Sequence, residues 1–138
     1  PLKVHLTHFT SVVGNAVRLP FADASVHSLS SLHVIEHIGL GRYGDPLDPN
    51  GSRTVFNELT RVLTRGGKLY LSVPVGRERI CFNAHRIFSP RTIIRWGDGL
   101  VLSRFALIRD DATYIDSVDI NAAESLEYGC GLFEFVRS

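Results

Sequence analysis

The sequence predicts an α/β fold in which helices pack against a sheet. Segments with the period-two alternation of strands follow one another along the chain, interrupted by segments with the 3.6-residue period of a helix. The chain has 138 residues, of which 44% are hydrophobic and 21% charged. These values suit one soluble globular domain and argue against disorder. No internal repeat is present, so we expect a single domain over residues 1–138.

The charge balance and the cysteine content exclude several classes of function. Lys and Arg number 15, Asp and Glu 14, and the formal net charge is +1, so no strong positive field is available for nucleic acid or an anionic membrane. No apolar run approaches the roughly 20 residues that span a bilayer. Cys81 and Cys130 are too few and too far apart for a disulfide scaffold or a four-ligand zinc site. We therefore expect a cytoplasmic protein that binds neither nucleic acid nor membrane.

Two strands are predicted in the first quarter of the chain. Residues 6–13 are rich in Thr, Val and Phe and end before Gly14, which is typical of a strand. Residues 19–25 contain the Pro, Asp and Ser of a turn-forming connector. Residues 26–32 predict a second strand, in which small serines between apolar residues would let a helix approach closely.

A glycine-rich loop and an amphipathic helix are predicted next. Residues 39–51 are dense in Gly, Pro and Asp, and Asn50 or Ser52 is the expected N-cap of the helix that follows. Arg residues in its last turns favour a C-terminus there, and Gly66 is the expected left-handed stop. The apolar stripe of this helix comprises Val55, Phe56, Leu59, Val62 and Leu63.

The second half of the chain predicts three strands and a short helix. Residues 68–74 alternate cleanly, and a proline ends that strand. Ser89 is the expected N-cap of a helix over residues 90–96 that begins with proline. Residues 101–109 and 132–136 predict two further strands, for a total of about five strands and two or three helices.

The pentapeptide His33-Val34-Ile35-Glu36-His37 has the H-x-x-E-H order of inverted zinc metallopeptidases. On a helix, two imidazoles four residues apart lie on one face and can hold zinc, with Glu36 as general base. These residues follow a strand directly and precede two glycines, so we expect a strand end here and predict no metal site. A zinc-dependent hydrolase stays open as an alternative.

Two further strings in the glycine-rich loop are false matches. Gly39-x-Gly41-x-x-Gly44 has the spacing of a dinucleotide fingerprint, but that motif requires a strand that runs directly into a helix. Asp45 follows at once and would repel a phosphate. Asp48-x-Asn50-Gly51 lacks the later ligands of a calcium loop.

Several segments, taken in order, resemble the C-terminal portion of class I S-adenosylmethionine-dependent methyltransferases. The likeness is nearest to a bacterial group of methyltransferase-like domains that share the long glycine-rich loop. It covers the chain from the family's strand 3 to its strand 7. The segments that carry it are 12–16, 19–25, 29–37, 58–63, 65–74 and 83–90.

The resemblance implies a partial Rossmann-like methyltransferase fold with a mostly parallel sheet and an antiparallel C-terminal strand. The family's N-terminal strand, glycine turn and helix would precede residue 1. The implied activity is methyl transfer from S-adenosylmethionine to an O or N atom of a small-molecule or glycan-type acceptor. A non-catalytic binding or oligomerisation module is the alternative. Because the missing strands belong in the centre of the sheet, we also expect a homodimer that completes it.

The resemblance also implies roles for individual residues. The residues expected to contact the cofactor are Asn15, Ala16, Leu32 and His33. The expected catalytic residues are Glu36 and His37, since a histidine has an unperturbed pKa near 6.5 and suits a general base. The residues expected in the substrate pocket are Tyr43, Asp45 and His85.

Overall fold

The computed structural model describes residues 7–81 and 83–138, which form a five-stranded sheet, a separate two-stranded hairpin and three helices. A short 3-10 turn, Ile35–His37, follows the first strand. No helix in the described part of the chain is long and apolar enough to cross a membrane. The elements are β1 (Val26–Leu32), α1 (Gly51–Val62), β2 (Leu63–Val75), β3 (Arg79–Cys81), β4 (His85–Ile87), α2 (Pro90–Trp96), β5 (Leu100–Arg109), β6 (Tyr114–Ile115), α3 (Asn121–Glu124) and β7 (Gly129–Arg137).

The strands of the main sheet lie in the order β1-β2-β7-β5-β6. β1 and β2 pair in parallel, and β7 is antiparallel to both of its neighbours, β2 and β5. β1, β2 and β5 therefore run in one direction, with the C-terminal strand inserted between the last two in the opposite direction. This arrangement confirms the predicted α/β fold class with an antiparallel C-terminal strand. Since β7 separates β2 from β5, β1 and β2 are the one hydrogen-bonded parallel pair of the described sheet.

The core lies between this sheet and the helices α1 and α2. The predicted stripe of α1 faces the sheet, and Phe56 is fully buried with its ring 6.0 Å from that of Phe135 in β7. Phe56 also contacts Trp96 at the end of α2, ring to ring at 6.0 Å. The period-3.6 pattern therefore predicted the buried face of α1 correctly.

The strand predicted over residues 6–13 is wrong for the part that the structure describes, 7–13, while residue 6 lies outside the described residues. Residues 7–13 have no strand conformation, and their side chains are exposed. A strand needs a hydrogen-bonding partner, and no described residue pairs with this segment. Thr, Val and Phe favour a strand, but that preference depends on packing against neighbouring strands.

The helix before the clearest strand ends four residues earlier than the predicted stop. α1 ends at Val62. Gly66, with φ of +76°, lies in β2, where the pairing with β1 shifts register. The backbone N–H of Ala24 donates to the carbonyl of Arg61 at 3.0 Å, and that of Ser25 donates to Val62 at 2.9 Å. The connector thus satisfies the last carbonyls of the helix, and Leu63 turns directly into the sheet.

Of the predicted caps, Asn50 and Ser89 occupy cap positions but do not make the expected bonds, and Ser52 lies inside α1. Asn50 precedes α1 and Ser89 precedes α2, yet neither side chain hydrogen-bonds to its own helix. The Ser52 hydroxyl instead donates to the carbonyl of Ile35 at 2.6 Å, and the Ser89 hydroxyl contacts the carboxylate of Glu124 at 3.0 Å. Both serines therefore join distant segments instead of capping helices.

Candidate functional site

The candidate site lies at the carboxyl ends of β1 and β2, which is where open α/β sheets bind ligands. The 3-10 turn follows β1 there, and the backbone N–H of His33 donates to Ser72 of β2 at 3.0 Å. The β3–β4 hairpin flanks the turn, and Val75 at the end of β2 bridges to Phe88. Cys130, near the start of β7, approaches the same end of the sheet. The site is thus assembled from segments that are distant in sequence.

A buried arginine holds the turn and the glycine-rich loop in place. Arg86 of β4 is 7% exposed, and its Nη1 donates to the carbonyl of Ile38 and to the Ser52 hydroxyl, the latter at 2.9 Å. Its Nη2 donates to the carbonyl of Asp48 at 3.1 Å. Burial lowers the pKa of Arg86 below its ordinary value, and three acceptors compensate part of the cost of burying the guanidinium. Arg86 therefore fixes the backbone around the site.

Glu36 is the most buried of the predicted catalytic residues, at 1% exposure. Its Oε1 lies 2.9 Å from Nδ1 of His33 and 3.7 Å from Nε2 of His37. Its Oε2 is buried and has no hydrogen-bond partner among the described residues. A buried polar atom without a partner costs stability, which makes it unusual in a region of the fold that serves structure alone.

His33 connects this carboxylate to a thiol. Its Nδ1 hydrogen-bonds to Glu36, and its Nε2 lies 3.2 Å from Sγ of Cys130. The backbone of His33 has φ of +52°, a left-handed conformation that non-glycine residues rarely adopt. Burial, followed by the negative charge of Glu36, raises the pKa of the Cys130 thiol.

His37 has one ring nitrogen committed to the backbone. Its Nδ1 donates to the carbonyl of Ala84 at 2.9 Å, because a carbonyl oxygen only accepts. In the neutral ring the lone pair is then on Nε2, the atom that lies near Glu36. The ring of Tyr43 approaches edge to face at 5.9 Å, and that of His85 at 6.2 Å. His37 therefore lies among aromatic rings with a basic nitrogen available.

His85 brings the β3–β4 hairpin into the site. Its ring lies between His37 and Tyr128, with a centroid distance of 6.0 Å to the tyrosine. Burial, and then the charge of His37, lowers the pKa of His85. Burial also raises the pKa of Tyr128. Both groups are thus held in their neutral forms, and they give the site an aromatic wall.

Asp45 is engaged by its own loop. Its carboxylate accepts the backbone N–H of Gly39 at 2.6 Å and that of Tyr43 at 3.2 Å. Burial alone would raise the pKa of Asp45, but these backbone N–H groups lower it below its ordinary value. The carboxylate therefore closes the glycine-rich loop, while Tyr43 is exposed and has the Arg42 guanidinium 5.4 Å from its ring centroid.

The residues expected to contact a cofactor differ in their exposure and in the hydrogen bonds that they already make. Leu32, at the end of β1, is 61% exposed. Asn15 uses its side-chain oxygen to accept the backbone N–H of Val17 at 3.1 Å and retains its amide NH₂ group. Ala16 is half-buried against the core. Leu32 and the Asn15 amide therefore remain the groups of this set most available to a ligand.

The structure does not favour a zinc site at the pentapeptide. His33 lies at the predicted strand end and His37 in the 3-10 turn that follows it, and not on one face of a helix. Both ring nitrogens of His33 contact protein atoms. Across residues 7–81 and 83–138, no group of three or more His, Cys, Asp or Glu side chains is placed to hold a metal ion.

A family of sequences described as "Caenorhabditis protein of unknown function, DUF268" matches residues 20–128. The chain belongs to this family. The matched region of this DUF268 chain contains the whole candidate site except Asn15, Ala16 and Cys130. A comparison with curated protein sequences finds no match.

Solved structures show the fold of this DUF268 chain. The N-methyltransferase NodS from Bradyrhizobium japonicum WM9, in complex with S-adenosyl-L-homocysteine, superposes with a TM-score of 0.61 at 14% identity, over 96% of this chain and 56% of NodS. Geranyl diphosphate C-methyltransferase from Streptomyces coelicolor A3(2) gives 0.59 at 15% identity, over 92% and 53%. The [4+2]-cyclase SpnF gives 0.61 at 12% identity, over 91% and 54%.

These likenesses confirm the class I methyltransferase-like, Rossmann-type fold that the sequence resemblance implied. Because every identity is below 25%, they show the fold and not the reaction. The DUF268 chain spans about half the length of each of these three structures.

The structure brings five of the predicted residues together: His33, Glu36, His37, Tyr43 and His85. Sequence reasoning missed Cys130 and Tyr128, which approach from β7 and the residue before it. The one local feature of the sequence that distinguishes Cys130 is that a glycine lies on each side of it within a strand. Because β7 is far from β1 in sequence, no spacing rule predicts its contact with His33.

Proposed function

We propose that this chain forms the acceptor-side half of an S-adenosylmethionine-dependent methyltransferase that acts on an O or N atom of a small-molecule or glycan-type acceptor. The observation that carries the proposal is the buried carboxylate of Glu36, with its unpartnered Oε2, beside the basic Nε2 of His37. Both lie at the carboxyl end of β1 in a methyltransferase-like fold.

Leu32, at that strand end, and Asn15, in the segment before the connector, carry groups that suit parts of S-adenosylmethionine. The exposed side chain of Leu32 offers an apolar surface, and the amide NH₂ of Asn15, which has no acceptor among the described residues, offers a donor to the edge of an adenine ring. Ala16 and His33 complete the proposed cofactor contacts through their backbones. When bound, the cofactor supplies a methyl group on a positively charged sulfur, which is open to in-line displacement.

His37 is the proposed general base. An acceptor hydroxyl or ammonium group would pass its proton to Nε2 of His37, because Nδ1 is held by Ala84. The resulting imidazolium would be stabilised by Oε1 of Glu36, 3.7 Å away. Tyr43, Asp45 and His85 are the proposed residues of the acceptor pocket, in which most of the rate enhancement would come from positioning.

Calorimetric titration with S-adenosylmethionine and S-adenosylhomocysteine tests the proposal. We expect both ligands to give saturable heat, with weak affinity because this chain supplies one side of the cleft. A Leu32→Glu variant should lose this heat, because a carboxylate replaces the apolar surface. Leu47→Glu, a matched change at another exposed leucine, should retain it. Absence of heat for both ligands at millimolar concentration, or equal losses in the two variants, would contradict the proposal.

A non-catalytic, sheet-completing homodimer is the second candidate. β1 pairs with β2 along one edge, and no described residue pairs with its other edge. Exposed strand edges are templates for pairing with another chain. Sedimentation equilibrium tests this candidate, which predicts the mass of two chains. The mass of one chain would contradict it, and heat in the ligand titration would separate a binding dimer from an inert one.

A further inference from the structure

We propose that Cys130, His33 and Glu36 form a nucleophile–base–carboxylate relay, so that Cys130 is a reactive thiol that is alkylated by soft carbon electrophiles. This activity is separate from methyl transfer and requires no cofactor. It uses the imidazole of His33 and the sulfur of Cys130, which the proposed methyl-transfer chemistry does not use.

The distances give the relay its direction. Nδ1 of His33 lies 2.9 Å from Oε1 of Glu36, and Nε2 of the same ring lies 3.2 Å from Sγ of Cys130. An ionised carboxylate only accepts hydrogen bonds, so the ring hydrogen is on Nδ1. The lone pair of the neutral ring is then on Nε2 and faces the thiol. Base-to-nucleophile and base-to-carboxylate contacts of this kind define an activated nucleophile on any fold.

The backbone holds the imidazole in this position. His33 has φ of +52°, a strained conformation for a non-glycine residue that persists only where surrounding contacts impose it. Its N–H donates to the carbonyl of Ser72 at 3.0 Å. With the backbone hydrogen bond and both ring nitrogens engaged, the ring is fixed between Glu36 and Cys130.

The Cys130 thiol needs a nearby base in order to react as a thiolate. Burial and the nearby charge of Glu36 raise the pKa of Cys130, so the resting group is the protonated thiol. Unassisted, such a thiol reacts slowly, because the thiolate is the nucleophile. Cys130 is nevertheless half-buried and not enclosed, and the side chain of His33 is 44% exposed. A small electrophile can therefore reach the pair from solvent.

The step balances without a redox partner. The sulfur of Cys130 forms a bond to the electrophilic carbon while the thiol proton passes to Nε2 of His33. The leaving group departs with the electron pair of its bond to that carbon. With iodoacetamide the products are the carbamidomethyl thioether, iodide and a proton that His33 releases to water. Glu36 accepts the hydrogen bond from Nδ1 of His33 and stabilises the transient imidazolium.

Competitive alkylation of the two free cysteines tests the relay. The chain is treated with iodoacetamide at neutral pH, and the labelling rates of Cys130 and Cys81 are measured by peptide mass spectrometry. Cys81 is the internal reference because its exposure is similar and it lies in β3, outside the relay. His33→Asn should slow the labelling of Cys130 by about tenfold or more, as loss of a general base does. The rate of Cys81 should stay unchanged.

Chemical rescue separates a base from a packing contact. Added imidazole should restore part of the Cys130 rate in His33→Asn and leave the wild-type rate unchanged. Glu36→Gln should slow Cys130 as well, because an amide can donate to Nδ1 and favour the opposite ring tautomer. The ¹⁵N chemical shifts of the His33 ring report that tautomer directly.

Three results would overturn the relay. They are a Cys130 rate in His33→Asn within twofold of the wild type, no rescue by imidazole, and a wild-type His33 ring protonated on Nε2. If the His33→Asn variant is unfolded, Cys81 will also be labelled at the rate that it shows in the urea-unfolded chain. The comparison then passes to Glu36→Gln and to the wild-type tautomer, either of which can contradict the relay alone.

Discussion

The imidazole rings of His37 and His85 lie edge to face, with their centroids 6.2 Å apart and their planes at 84°. The contact joins the 3-10 turn after β1 to the hairpin strand β4, so it fixes one wall of the candidate site. Burial, followed by the proximity of His37, lowers the pKa of His85. Of the other charged groups near it, Glu36 opposes this shift, while Arg42 and His33 add to it.

Stability should therefore fall as the pH drops below about 6.5. The unfolded chain binds a proton at His85 at a higher pH than the folded chain does, so unfolding takes up a proton in this window. One such proton changes the free energy of unfolding by at most about 1.4 kcal/mol per pH unit. Urea unfolding between pH 5 and 7.5 should show a shallower dependence for His85→Gln than for the wild type. Equal slopes would contradict this prediction.

Glu36→Gln should stabilise the protein while it removes the charge that is proposed to stabilise the His37 imidazolium. A neutral amide is less costly to bury than a carboxylate with an unpartnered oxygen, and we expect a gain of about 1 kcal/mol. The control is Glu58→Gln. The carboxylate of Glu58 accepts the backbone N–H of Leu19 at 2.7 Å and two hydrogen bonds from Arg61. That variant should lose about 1 kcal/mol. If urea unfolding shows that both variants gain stability, or that both lose it, the claim that the Glu36 carboxylate is costly to bury is refuted.

Removal of the buried guanidinium should loosen the loop that lies beside the site. Arg86→Met removes the guanidinium donor from the carbonyl of Ile38 and leaves that of Asp48 with the N–H of Gly51 alone, and we expect the free energy of unfolding to fall by about 3 kcal/mol. Arg77→Met is the control, because Arg77 makes an exposed ion pair with Glu127. Such pairs contribute less than about 1 kcal/mol. Equal losses in the two variants would show that Arg86 is not the anchor described above.

Alanine substitutions at two glycines of the glycine-rich loop distinguish the cost of steric crowding from the cost of backbone strain. Gly39 and Gly44 have φ of +78° and +81°, so alanine is strained at both. A Cβ at Gly39 would lie 2.1 Å from the carbonyl oxygen of Asp48, whereas one at Gly44 meets nothing within 4 Å. Gly44→Ala should cost about 1–2 kcal/mol, the price of the left-handed conformation alone. Gly39→Ala should cost about 2 kcal/mol more than that, because the backbone must move. Thermal unfolding of both variants gives the comparison.

The sequence predicted the elements in which one face is buried in the core, because that face gives the hydrophobic residues a regular period. The stripe of α1, the alternation in β2 and the Ser89-Pro90 start of α2 all correspond to elements of the structure. These features are local, because one buried face imposes its period on consecutive residues. Residues 7–13 show the limit of such reasoning, since their composition favours a strand but no described strand pairs with them.

The sequence pointed to part of the candidate site. The resemblance to methyltransferases indicated Glu36 and His37, which follow a strand at the edge where open sheets bind ligands, and their catalytic role stays a prediction. Cys130 and Arg86 were not found, because each acts on residues that are far away in sequence. The left-handed backbone of His33 was also hidden, because no residue type signals it.

The amide resonances of the chain during titration with S-adenosylhomocysteine provide the most direct test of the central claim, that the carboxyl end of β1 is a cofactor-binding edge. We expect concentration-dependent shifts centred on Ala16, Leu32 and His33, with the far end of β1 at Val26 unchanged. Shifts confined to other parts of the sheet, or none at millimolar ligand, would contradict it.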